Sequence, residues 1–484
     1  MSEALSFVGI VVGLGTLMLF AFRGWSVLFL APACALLAAA FSGFPLLASW
    51  TQVFMGSAAG FLGQFLPLFL LGATFAKLMN DSGSVNAIAE FMSARLGPDR
   101  AILAVVLAGA LLTYGGVSLF VAFFVLVPMA QAMFKAADIP RRLVPATIIL
   151  GTSTFTMTAL PGTPAIQNAI PMPFFGTTAF AAPGLGIIAS ALMLGIGLTW
   201  LQRAKSVAVG GGEGYGQARL STPDTAQMRE HTITASSFDP SEAQQPAAAA
   251  SQPSFAIALI PFAVMVCTNL ILSLVVFRGR EATFLARHEW GQTTLGAVAG
   301  LWSVLAALIL ATVTVVALNR KRLTNLRGAI DSGMNAAVLP AMSVASLVGF
   351  GAVIATLPAF IVVREWVLGL NGGPLVTLAV ATNLLAALTG SASGGLTIAL
   401  EALGSTYMDI ARQSGIDPAL MHRVATIGAG TLDILPHNGA VITLLSLCGT
   451  NHRESYRLIA EVGIIGSLIA LVVVIALGGF FGSF

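Results

Sequence analysis

An aspartate and a histidine inside an apolar stretch are the residues of this sequence best suited to chemistry. Asp433 and His437 lie in the run Gly428-Ala-Gly-Thr-Leu-Asp433, then Ile-Leu-Pro-His-Asn-Gly439. Ionisable side chains at membrane depth are costly and by default mark function. Asp433 could take up a proton or Na⁺, and His437 could donate to a carboxylate or relay a proton. The plain alternative is a static bond from either side chain to the backbone, steadying the break.

A second run carries hydroxyls and amides instead of charge: Gly151-Thr-Ser-Thr-Phe-Thr-Met-Thr158, then Ala-Leu-Pro-Gly-Thr-Pro-Ala-Ile-Gln-Asn168. Proline breaks both runs, at Pro161 and Pro436. A helix restarting after such a break presents unpaired N–H groups and its positive dipole end, which suits a carboxylate. Thr152, Ser153, Thr154, Thr163, Asn168 and Asn438 are therefore expected to bind substrate as a cluster. Singly, a serine or threonine in a membrane helix often bonds only its own backbone. Two glycine turns complete the candidates. One holds Gly115, Gly116 and Ser118, the other Ser391, Ser393 and Gly394.

Composition says what must position these groups. The 484 residues are 57% hydrophobic and 9% charged, with mean hydropathy +0.90. A soluble chain carries about a quarter charged residues, so hydrocarbon is the solvent that fits. The predicted class is an all-α polytopic membrane protein with the lipid bilayer as its partner. A net charge of +3 gives no reason to expect a nucleic-acid partner. Three scattered cysteines and five unpaired histidines argue against disulfides or a metal site. No cofactor is expected beyond a coupling ion.

The order of segments repeats. Gly115-Gly116 matches Gly394-Gly395 at an offset of 279, and Ala146-Thr147-Ile148 matches Ala425-Thr426-Ile427 at the same offset. Pro140 pairs with Pro418, and Leu160-Pro161 with Leu435-Pro436 after a short slip. Each half reads as three apolar spans, a short amphipathic stretch, about 34 apolar residues cut by glycines (101–134; 376–409), a broken span and a plain span. One helix of 34 residues would be about 50 Å long, against about 30 Å of hydrocarbon. Each long stretch is thus expected to fold at its glycines into a re-entrant hairpin.

With hairpins, each half crosses five times, so the two repeats must be inverted. Placing the middle of the chain in the cytoplasm puts 17 of the 23 Lys and Arg residues inside. Arg278, Arg280, Arg287, Arg364, Arg412 and Arg423 are left outside. The predicted organisation is a first repeat at 1–204, a disordered cytoplasmic linker at 205–253, and a second repeat at 254–484. The linker is rich in Gly, Ser, Thr, Gln, Pro and Ala, and cannot offset its ordering entropy. Paired broken helices in inverted repeats are how secondary transporters build a midplane site. No ATP-binding motif is present, nor a His-Glu-x-x-His or Gly-x-Ser-x-Gly in a span, so an enzyme is not expected.

The runs Tyr114-Gly-Gly-Val-Ser-Leu-Phe120, Thr156-Met-Thr-Ala-Leu-Pro-Gly-Thr-Pro164, Ser393-Gly-Gly-Leu-Thr-Ile-Ala-Leu-Glu401 and Leu435-Pro-His-Asn-Gly-Ala-Val441 resemble the gluconate:proton symporter family of inverted-repeat carriers. The similarity covers nearly the whole chain outside the linker. These motifs are moderately specific for the family and weakly specific for substrate. The resemblance implies proton-coupled uptake of a small hydroxylated monocarboxylate, such as gluconate or 3-hydroxybutyrate, across a bacterial inner membrane. It also implies a scaffold, a mobile transport domain moving as an elevator, and commonly a homodimer. In one place the chain departs from the family. A Pro-Pro-His-Pro-Gly-Pro-like run in the first half is replaced by Leu160-Pro-Gly-Thr-Pro164, which leaves His437 without a counterpart. That departure leans towards the hydroxybutyrate or citrate-type branch, with Na⁺-coupled uptake of a di- or tricarboxylate as the alternative.

Overall fold

A computed structural model describes residues 3–22, 25–216, 252–368, 372–436 and 438–484. Among them every regular element is helical. The first half runs α1 (Glu3–Phe22), α2 (Val27–Phe41), α3 (Leu46–Asp81), α4 (Ser84–Leu96), α5 (Ala101–Tyr114), α6 (Leu119–Ala136), α7 (Val144–Thr152), α8 (Ile166–Ala169) and α9 (Pro183–Gly210). The second half runs α10 (Phe255–Val276), α11 (Leu295–Asn319), α12 (Leu326–Thr356), α13 (Pro358–Leu368), α14 (Gly373–Thr389), α15 (Ala392–Ser414), α16 (Pro418–Thr431), α17 (Gly439–Leu447) and α18 (His452–Phe481). Shorter turns, such as Phe155–Thr158 and Pro171–Phe175, lie between them. The protein is an all-α polytopic membrane protein whose halves repeat one order of elements. Six described helices are long and apolar enough to cross a membrane, and seven if the pair α4–α5, bent by 108°, counts as one span.

Lipid outside and protein inside sort these apolar helices. In α3 and α10 only 28% of the most apolar window is buried, whereas in α12 it is 78%. Helix α12 is therefore the central post, and α3 packs along it. Phe65, Phe75, Leu78 and Met79 of α3 and Val344, Val348 and Phe350 of α12 are all buried.

Both long glycine-cut stretches fold as hairpins, α5–α6 and α14–α15, with the arms of each packed together. The second turn is made by Gly390, at φ 62, a left-handed conformation that glycine adopts without cost. Gly394, expected at this tip, instead lies in the first turn of α15. Its neighbour Gly395 lets the arms touch, since a Cβ there would sit 2.2 Å from the Ala386 nitrogen.

The expected linker at 205–253 is described only in part. Residues 205–210 continue α9, and the chain beyond them docks on the loop after the first hairpin. Arg142 donates twice to Glu213, at 2.7 and 2.8 Å, and the Tyr215 N–H donates to Asp138 at 2.8 Å. That ion pair fixes the chain against the α6–α7 loop, which composition alone does not foretell. Residues 217–251 of the expected linker lie outside the described residues.

Candidate functional site

Two hairpin tips and two helix breaks meet at one cavity of about 220 Å³. At the first tip, α5 closes with Gly115 N–H donating to Leu111 O, Gly116 N–H to Thr113 O and Val117 N–H to Leu112 O. Gly116 has φ +80, which turns the chain so that Ser118 leads into α6. At the second tip, the Ser391 hydroxyl accepts from Gly394 N–H at 3.2 Å and caps α15. Gly116 and Ser118 line the cavity from one tip, and Ser391 and Ser393 from the other.

The second break contributes its charge. The α16 helix ends at Thr431, and Asp433 follows in the turn. Asp433 Oδ1 accepts from the Ala392 N–H at 2.7 Å and from Asn438 Nδ2 at 3.0 Å. Its carboxylate thus sits on the N-terminus of α15, where the helix dipole favours negative charge. Both bonds fall on Oδ1, and among the described residues Oδ2 has no hydrogen-bond partner. Asn438 uses every polar atom it has. Its Oδ1 accepts from Ala440 N–H at 2.7 Å and Val441 N–H at 3.3 Å, capping α17, while its Nδ2 also donates to Gly390 O at 2.9 Å. One amide therefore ties the tip of the second hairpin, the coupling carboxylate candidate and the restarted helix into a unit.

The opposite wall is apolar. Leu68, Phe69, Gly72 and Ala73 of α3 and Ala337, Pro340 and Val344 of α12 form it. Among the described residues lining the cavity, Asp433 is the only charged one. Of the helix restarts expected to hold an anion, after Pro161 and Pro436, the second is α17, whose first N–H groups are bonded to Asn438 Oδ1. Asp433 already lies on the start of α15, and Asn438 covers that of α17.

Of the residues expected to bind substrate, Gly116, Ser118, Ser391, Ser393 and Asn438 line the cavity, as does the ion-coupling candidate Asp433. Gly115, Thr152, Ser153, Thr154, Thr163, Asn168 and Gly394 do not. Thr152, at the end of α7, and Thr154, in the bend after it, donate to Ile148 O and Leu150 O at 2.8 and 2.7 Å, local bonds to carbonyls four residues back. Ser153 pairs with the Thr152 hydroxyl at 3.2 Å. Thr163 is fully buried and accepts from Ala165 N–H. Gly115 packs on Phe262 of α10. His437 lies outside the described residues. Tyr114 donates to Pro161 O at 2.9 Å, joining the first hairpin to the first break.

Two residues that sequence reasoning passed over stand out. Arg423, left among the six basic residues outside by charge counting, is fully buried in α16. It donates to Ala181 O at 2.7 and 3.2 Å, Thr158 O at 3.1 Å and Asn168 Oδ1 at 3.4 Å. Its charge is spread over carbonyl oxygens of the first break, with no carboxylate among these partners. Beside it, His422 Nε2 meets Asn168 Oδ1 at 3.1 Å and its Nδ1 meets the Thr177 hydroxyl at 2.6 Å. Asn168 Nδ2 donates to two carbonyls, Thr163 O and Ala179 O, both at 3.0 Å. That leaves Asn168 Oδ1 as acceptor, so the Nε2–H tautomer of His422 satisfies every partner. The signal was present: Arg423 sits in an apolar run, where an ionisable residue calls for an explanation. The other missed residue, Gln167, lines the cavity from α8. No three His, Cys, Asp or Glu side chains converge as a metal site among the described residues.

No family model matches the chain. The chain is 38% identical over 478 residues to the uncharacterized transporter YxjC of Bacillus subtilis, covering 97% of this chain and 98% of that one. It is 34% identical over 118 residues to the high-affinity gluconate transporter of Escherichia coli, covering 23% of this chain and 26% of that one. Among solved structures it is similar to the Alcanivorax borkumensis YdaH transporter, with a TM-score of 0.56, 16% identity and 88% of each chain covered. It is also similar to Neisseria gonorrhoeae MtrF, described as one of a class of antimetabolite efflux pumps. That match has a TM-score of 0.52 and 12% identity, covering 88% of this chain and 83% of that one.

Proposed function

Starting from the fact that this chain belongs to the family of the Bacillus subtilis transporter YxjC, we propose that it is a proton-coupled symporter of a small organic carboxylate. It is a multi-pass transporter of the bacterial inner membrane. The observation that carries the finer reading is Asp433, the only charged group among the described residues lining the cavity. An anion held about 5 Å from an ionised carboxylate is repelled by about 3 kcal/mol at an effective dielectric of about 20. A proton on Oδ2 removes that repulsion and leaves both bonds to Oδ1 in place. Proton and anion then bind together, and each favours the other by the same factor. The similarity of one stretch to a gluconate transporter supports an acidic substrate. The apolar wall from α3 and α12 favours a short hydroxy acid over a fully hydroxylated sugar acid.

The two-walled cavity also supports an elevator movement. The hairpins and breaks, tied together by Asn438, Tyr114 and Arg423, would slide as one body against α3 and α12. Uptake into proteoliposomes under a pH gradient alone, and under a Na⁺ gradient alone, tests the coupling ion. Concentrative uptake that follows only the Na⁺ gradient would overturn the proton reading and leave the di- or tricarboxylate alternative.

A further inference from the structure

The polar groups around the cavity are almost all committed to the protein. Asn438 has none left over, Asp433 Oδ1 is doubly bonded, and the Ser391 and Ser393 hydroxyls face each other at 3.2 Å. Gln167 differs. The residue lines the cavity and is 7% exposed, and among the described residues its buried Oε1 has no hydrogen-bond partner. Among the described residues, the other buried side-chain atoms without a partner, on Thr74, Asn80, Thr312, Asn383 and Ser455, belong to residues that do not line it. A buried amide oxygen left unpaired is costly, and natural structures rarely leave one so without a reason.

The surroundings of Gln167 fix its place. Its neighbour Asn168 has its amide clamped on both ends, with Nδ2 on two carbonyls and Oδ1 on His422 and Arg423. The backbone of the four-residue helix α8 cannot turn without breaking that clamp. The Gln167 amide can still rotate about its last side-chain bond, a broad torsion, and so present its oxygen or its nitrogen to the cavity. The oxygen suits the hydroxyl hydrogen of a ligand. An ionised carboxylate cannot satisfy it, because it has no hydrogen to donate.

We infer that Gln167 is a specificity-determining residue that accepts a hydrogen bond from a hydroxyl on the substrate, so that a hydroxy acid is selected over the unsubstituted acid of the same length. Arg423 and His422 hold Asn168, the residue next to it in the chain. The inference rests on the carboxylate reading of the cavity, which supplies the acid end of the ligand. One added hydrogen bond to a buried acceptor is worth about tenfold in affinity. Rejection of an analogue lacking a hydroxyl can be greater where a site is built for it.

The test compares two pairs of acids, lactate with propionate and 3-hydroxybutyrate with butyrate. Binding to the purified full-length protein is measured at one fixed pH. The wild type is expected to favour the hydroxylated member of each pair by about tenfold or more. Gln167→Leu and the near-isosteric Gln167→Met are expected to bring the ratio to about one, mainly by weakening the hydroxy acids. Thermal unfolding of both variants in detergent checks that the fold is kept, and Met serves if Leu disturbs packing. If the wild type shows the preference and a folded variant keeps it, the role of Gln167 is refuted while the transport reading stands. Equal binding of both members by the wild type refutes it as well. If the wild type binds none of the four acids, the carboxylate reading itself fails and this inference falls with it.

Discussion

Replacing Asp433 by asparagine isolates the electrostatic argument. In Asp433→Asn the new Oδ1 can accept the same two bonds, from Ala392 N–H at 2.7 Å and Asn438 Nδ2 at 3.0 Å in the native chain. The new Nδ2 stands where a protonated Oδ2 would be. The variant therefore imitates the protonated carboxyl with little change in shape. In the wild type, each pH unit above the protonation point should weaken binding of a monocarboxylate about tenfold. The loss levels off near 10²-fold, the equivalent of about 3 kcal/mol of repulsion across about 5 Å. In Asp433→Asn the affinity should stay at the low-pH value throughout. Counterflow between labelled and unlabelled substrate should persist, while a pH gradient should no longer drive accumulation. Proteoliposomes loaded at one pH and diluted into another measure both. Undiminished accumulation driven by the pH gradient in Asp433→Asn would refute the reasoning.

Five further substitutions draw on the same geometry. Asn438→Ala removes the cap of α17 and the links to Gly390 and Asp433 together, so thermal unfolding in detergent should show a loss of about 2–4 kcal/mol. Asn438→Asp keeps the cap but faces Asp433 with a second carboxylate, and should bind the anion more weakly than wild type at neutral pH. Gly395→Ala puts a methyl against the Ala386 backbone and should part the second hairpin, lowering expression and stability. Gly60→Ala meets nothing within 4 Å and should be neutral or raise stability by up to about 1 kcal/mol. Gly72 also has nothing within 4 Å and lines the cavity. Gly72→Val should thus raise KM for longer acids at least about 10- to 200-fold, the range for one methylene in a hydrophobic pocket, and spare the shortest.

Apolar runs too long for the bilayer told of the hairpins, and Pro161 and Pro436 of the breaks, because both are local statements about the backbone. Asp433 was legible for the same reason: a charge in hydrocarbon is conspicuous without any neighbour being known. What could not be read was direction. Thr152 and Thr154 have the composition of a binding cluster, yet each bonds a carbonyl four residues back. Asn168 and Gln167 are adjacent and chemically alike. Only the fold decides that the first is clamped inside the protein and the second opens on the cavity. Arg423 was misplaced because charge counting treats every arginine as belonging to water. The carbonyls that hold it lie 242 and 265 residues earlier in the chain, beyond the reach of any local pattern.

That last contact has a consequence for biogenesis. The broken helix of the first repeat leaves the Thr158 and Ala181 carbonyls and the Asn168 amide oxygen facing inward, and their donors, Arg423 and His422, arrive only with α16. During synthesis the first repeat must wait in the membrane with those acceptors unmatched, where water cannot satisfy them cheaply. Arg423 for its part can leave water only once they are in place. Neither half is then a finished module. The first repeat produced alone should be short-lived in the cell, and co-production of the second from a separate gene should rescue it.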